Sequence, residues 1–196
     1  MKKTVSILLL AAFLQPLIGQ DKKHDLSLSY GIVTTDQVVD IFETILTAAF
    51  SFGNYTKTNL EYTGAKFITY KYGVNKRLKA GATFGIDGVK GDLLNANTEE
   101  IFGTFSTNHY TIAAEADLRY INTNWFEMYS GLGLGYTFTR QYGEDNTGVS
   151  DITNSRHVAF QLNLAGFRFG KNFGAYLETG FGYKGILNFG LSYRFN

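Results

Sequence analysis

The chain contains no cysteine, so no disulfide stabilises it and no N-terminal thiol can carry a lipid. Its one proline is Pro16, near the N-terminus. Proline removes a donor from a sheet ladder, and in lipid no water replaces the lost bond. The long proline-free remainder therefore permits uninterrupted hydrogen-bonded strands. After residue 20 there is no apolar run of the roughly 20 residues that a membrane helix needs. Charge of one sign is not in excess: 18 Lys and Arg stand against 17 Asp and Glu. That balance gives no electrostatic reason to expect nucleic acid as a partner. No metal-spaced His or Cys cluster, phosphate loop or G-x-S-x-G turn occurs, so the sequence calls for no cofactor.

What the chain has in plenty is glycine and aromatics, with 22 Gly, 17 Phe and 13 Tyr. Glycine permits sharp sheet curvature, and aromatics suit a membrane–water interface. The N-terminus reads as a secretory signal. Met1-Lys2-Lys3 is basic, 4–13 is mostly apolar, and small or polar residues follow near Gly19-Gln20. Cleavage falls after Gly19 or Gln20. Residues 1–20 are thus the expected signal peptide and 21–196 a single domain, with no linker or low-complexity tract.

Along that domain, apolar and polar residues alternate in segments separated by turns. Eight strands are expected: 26–33, 60–74, 78–86, 107–121, 126–139, 155–169, 173–183 and one beginning near Leu187. Leu78, Ala80, Ala82, Phe84 and Ile86 form one such apolar face. In the seventh strand Phe173, Ala175, Leu177, Phe181 and Tyr183 do the same. The connections 34–59, 87–106 and 140–154 are long, while Asn75-Lys76-Arg77, Asn122-Thr123-Asn124 and Lys171-Asn172 are tiny. Alternating long and short connections mark an up-and-down barrel of the bacterial outer membrane, with short periplasmic turns and longer external loops. A soluble barrel shares the alternation with its apolar face turned inward. The signal peptide and the aromatic density favour the membrane form.

With apolar residues toward lipid, the alternate set lines the interior. It includes Lys71, Lys79, Glu115, Asp117, Arg119, Glu127, Tyr129, Gln161, Asn163, Tyr176, Glu178 and Arg194. An eight-stranded barrel is only wide enough for its own side chains, and charges packed there must pair. The expectation is a salt-bridged plug; the alternative is a narrow ion path.

The last segment alternates Leu187, Phe189, Leu191, Tyr193 and Phe195 with polar or small residues. It resembles the C-terminal assembly signal of outer-membrane barrels, with Asn188, Gly190, Tyr193 and Phe195 in the characteristic places. The whole pattern resembles the small outer-membrane β-barrel proteins of Bacteroidetes-type bacteria and, more loosely, the OmpA membrane domain. That resemblance implies an all-β, eight-stranded antiparallel transmembrane barrel. It also implies outer-membrane lipid, lipopolysaccharide and the barrel assembly machinery as partners.

The first long connection has a helical signature. Thr34 and Gln37 are placed for a capping box, and Asp36, Asp40 and Glu43 suit a helix start. Val38, Ile41, Phe42, Ile45 and Ala49 recur at helical spacing, giving an apolar face expected to pack on the barrel. A strand from Leu46 through Phe52 is the competing reading, and it would make the strand count odd.

Lipid A-modifying enzymes exist among eight-stranded barrels, so the resemblance also admits catalysis. Ser155 and His157 share a face, as do His109 and Thr111, but neither set completes a nucleophile, base and acid. The expected function is a non-enzymatic barrel acting structurally or through its external loops. A lipid A-modifying enzyme or an ion pore is the alternative.

Overall fold

The computed structural model describes residues 23–41, 55–95, 98, 100–145, 148 and 150–196. The strands are β1 (His24–Ile32), β2 (Tyr55–Tyr62), β3 (Ala65–Gly73), β4 (Leu78–Asn95), β5 (Ile101–Asn122), β6 (Phe126–Asp145), β7 (Ser150–Gly170), β8 (Phe173–Gly182) and β9 (Leu187–Phe195). One helix, α1, covers 35–41. All strand pairings are antiparallel, and β1 pairs with both β3 and β9. This closes a ring of eight, β1-β3-β4-β5-β6-β7-β8-β9. Strand β2 lies beside β4 above the end of β3. The break between β2 and β3 falls at Thr63-Gly64, where Gly64 adopts φ 70°.

The ring is inside-out relative to a soluble protein. Leu132, Leu134 and Leu164 are each 64–65% exposed on its exterior, while Glu115, Asp117, Arg119 and Glu127 are no more than 4% exposed within it. On β4 the exterior apolar belt runs over 78–86. Nine residues at about 3.4 Å each match the 9–11 of a tilted membrane strand.

Aromatic residues gather at the short-turn end. Trp125, Phe126 and Phe169 contact one another, as do Phe173, Tyr193, Phe195 and His24 in series.

Three sequence expectations need correction. The connections 87–106 and 140–154 are largely strand, because β4 through β7 continue far beyond the apolar belt. Polar residues on both faces hide those extensions from a search for alternation. Secondly, Tyr183 does not face outward: it is 2% exposed and lies inside the barrel. Gly182, at φ 140°, turns the chain inward there. Thirdly, the visible part of α1 packs by its polar side. Asp36 is 6% exposed, whereas Val38 and Ile41 are more than 40% exposed. Phe42, Ile45 and Ala49 lie outside the described residues.

Candidate functional site

The interior is built from two charged clusters and an uncharged layer. Nearest the short turns, Lys79 Nζ lies 2.7 Å from Asp25 Oδ2 and 2.9 Å from Glu127 Oε1. Arg194 Nε donates to Asp25 at 3.1 Å, and its Nη2 donates to Glu127. Arg119 Nη1 lies 3.8 Å from Glu127.

In the second cluster Lys71 Nζ lies 2.7 Å from Asp117 and 2.8 Å from Glu115. Lys184 Nζ lies 2.7 Å from Glu115 and 3.7 Å from Glu178. Tyr129 and Tyr183 donate hydroxyl bonds to Glu178 and Glu115, at 2.8 and 2.7 Å. Asn188 donates to Glu178 at 2.7 Å, and Gln161 donates to Asn163 at 2.9 Å. A cavity of only about 20 Å³, lined in part by Tyr129, Tyr176 and Arg168, remains between the clusters. That is room for about one water, not for a stream of hydrated ions.

Above these charges, Ala65, Phe67, Ala113, Ala159 and Tyr183 form a buried cluster that adds an apolar layer. Thr111 and Thr137 are hydrogen-bonded across the same region at 2.8 Å.

The long-loop rim holds α1 down by polar contacts. The capping box forms: Gln37 N donates to Thr34 Oγ1, and Thr34 N to Gln37 Oε1, both at 3.2 Å. Thr34 Oγ1 then donates to Asp87 at 2.8 Å, and Gln37 Nε2 donates to Asp87 at 3.3 Å. Asp36 faces His157 on β7 at 3.0 Å, and Asp40 faces His109 on β5 at 3.4 Å. Burial pushes the Asp36 carboxyl above the usual aspartate range, against the pull of His109 and His157. One turn of helix is thereby tied to three strands of the tall wall. His157 and His109 are placed as partners for helix aspartates.

Beyond the rim, β2, β4, β5, β6 and β7 project as one sheet. Strand β7 pairs with β8 only from Gln161 onward, and residues 150–158 are all exposed. Among the described residues, that stretch has β6 on one side and no strand on the other. Near the tip, Leu93, Phe102 and Phe105 sit with Glu144, Asp145 and Asp151 around a cavity of about 290 Å³. Lys57 Nζ lies over the Phe105 ring, 5.0 Å from its centre.

Several inward residues escaped the sequence reading. Asp25 lies just before the expected first strand at 26–33, though Ser27 and Ser29 share its parity. Arg168 was hidden by a register shift between Asn163 and Ala165, which moves the inward set from odd to even positions. Lys184 sits in a link rather than a strand, where alternation gives no signal.

No protein-family model matches the chain, and no curated protein matches it. Among solved structures it is similar to two of Ail, the attachment invasion locus protein of Yersinia pestis, one of them in complex with the heparin analogue sucrose octasulfate. Identity is 16% and 15%, with TM-scores of 0.47 and 0.45; each alignment covers 88% of this chain and 99% of Ail.

Proposed function

We propose that the protein is a non-conducting barrel of the bacterial outer membrane that presents its projecting sheet to a partner outside the cell. The signal-like segment 1–20 directs export. The apolar belt over 78–86 and its counterparts on the other strands meet lipid, and Asn188, Gly190, Tyr193 and Phe195 address the chain to the barrel assembly machinery. The long-loop end then faces outward and the short turns face the periplasm.

The observation that carries this reading is the combination of a filled interior with an open sheet edge. Ion pairs, Phe67 and Tyr183 occupy the lumen, so transport has no path. Among the described residues, the edge of 150–158 away from β6 has no strand beside it, and its side chains are exposed, the arrangement by which an edge accepts an added strand. The acid-rimmed aromatic cavity next to it favours a basic or amphipathic side chain on the incoming segment.

The test is attachment and conductance in parallel. Cells displaying the barrel are compared with cells displaying a variant lacking 93–103 and 144–150, which shortens both tall hairpins between paired positions. Attachment to protein-coated surfaces should fall while the amount of folded barrel stays level, and purified protein should give no steady current in planar bilayers. Unchanged attachment, or a stable conductance, would overturn the proposal.

A further inference from the structure

The short-turn end holds more positive charge than the lumen neutralises. Its buried layer contains four bases, Lys79, Arg119, Arg168 and Arg194, against two acids, Asp25 and Glu127. Arg168 is 3% exposed, and its hydrogen bonds go to neutral oxygens: Ser192 Oγ and the carbonyls of Gly170, Lys171 and Asn172. The neighbouring turns add to the imbalance. Segments 73–77, 122–125 and 170–172 contain Lys76, Arg77 and Lys171 and no acid.

A cavity of about 180 Å³ opens at this end. Arg119 and Arg194 line it from β5 and β9, Asn122 and Asn124 from one turn, and Lys171 and Asn172 from another. The two turns are tied together, since Gly170 N donates to Trp125 O at 2.8 Å. On the exterior the same turns carry Trp125, Phe169 and Phe173, which are 50–70% exposed. The cavity therefore opens at the level of the aromatic belt.

We propose that this cavity binds a phosphate group, either the headgroup of a phospholipid in the facing leaflet or the free ion. Guanidinium groups present planar forks of donors that match phosphate oxygens, and Lys171 adds a mobile charge at the entrance. Asn122, Asn124 and Asn172 line the same cavity and keep its wall polar. Arg119 and Arg194 bring part of that layer's surplus positive charge to the cavity wall, and an anion seated there would lower the cost of burying it. A headgroup can enter over the Lys171-Asn172 turn while its chains lie on Trp125, Phe169 and Phe173. The headgroup source rests on the membrane placement proposed above; binding of the free ion does not.

The experiment uses the full folded chain in neutral detergent, with folding verified by heat-modifiable migration on gels. Inorganic phosphate is titrated while backbone amide signals of 122–124 and 171–172 are followed by NMR. Retention of phosphatidylglycerol against phosphatidylcholine is measured by native mass spectrometry. Wild type should respond to at least one of these phosphate probes. Lys171→Glu should weaken that response at least tenfold, and Lys171→Arg should restore it. Lys90→Glu, at the opposite end beside Glu61, should leave it unchanged. Retention of phosphatidylglycerol supports the site and assigns the headgroup; a response to inorganic phosphate alone supports the site and assigns the free ion. Binding of neither probe by folded wild type, or equal binding by Lys171→Glu, overturns it.

Discussion

Lys184 and Glu115 are 69 positions apart in the chain, and their side chains meet at 2.7–2.8 Å inside the barrel. Lys184 belongs to the link between β8 and β9, not to the wall. The link folds into the lumen and lays a cation over the carboxylate that Lys71 already approaches from below. Glu115 is thus shared by Lys71, Lys184 and the Tyr183 hydroxyl.

That sharing makes Glu115 a costly acid to remove. Glu115→Gln leaves two buried lysines underpaired, and breaking a buried pair costs on the order of 3–5 kcal/mol. The urea midpoint for unfolding from detergent should drop accordingly, with no current appearing in bilayers. A variant that is as stable as wild type and newly conducts would show that these charges line a path.

The link itself depends on Gly185. It adopts φ 88°, and an added Cβ would lie 2.1 Å from the carbonyl oxygen of Ile32. Gly185→Ala should therefore destabilise by more than about 1 kcal/mol, through strain and collision together. Thermal unfolding monitored by gel mobility checks this, and an unaltered midpoint refutes it.

Helix docking should depend on pH through Asp36. Its folded-state pKa is raised by burial, so its contribution is full in acid and is lost as pH rises through that raised value. Asp87, His109 and His157 also face this end of the helix. Hydrogen-exchange protection of amides 38–41, corrected for intrinsic rates, should decline with rising pH in wild type. The decline should be shallower in Asp36→Asn; an identical slope in the two proteins would exclude Asp36 as its source.

The terminal aromatics should matter for insertion. Tyr193 contacts Phe173 and Phe195, and Phe195 stacks on His24 across the β1–β9 seam. Tyr193→Ala combined with Phe195→Ala removes these contacts and the resemblance to the assembly signal. Levels of heat-modifiable barrel in outer-membrane fractions should fall several-fold, and wild-type levels would reject the assignment.

Much of the wall was readable because an apolar exterior and a charged lumen impose opposite demands on successive residues. Glu115, Asp117 and Arg119 alternate with Ala114, Ala116 and Leu118 without a break, so their inward placement follows from parity alone. Parity fails wherever the ladder slips. Arg168 lies beyond the shift at Asn163 and Ala165 and could not be assigned without knowing it. It fails too where both faces are largely polar and exposed, as along 150–154, so strand reads there as loop. The start of the helix was placed correctly by its capping residues, but the orientation of its described part was not. The surface beneath it is Asp87, His109 and His157, and a polar mouth draws the polar side of α1.

The pairing of the first strand with the last sets an order of events. Asp25 and Arg194 are 169 positions apart, yet they are bonded across the β1–β9 seam. During synthesis, the edge of β1 that meets β9 has no native partner until nearly the whole chain exists. Strand-by-strand insertion from the N-terminus would thus leave that edge open in hydrocarbon, where no water can satisfy it. On the outer-membrane placement proposed above, the ring would close last, and an escort that reads the residues of β9 would hold the earlier strands uncommitted until then.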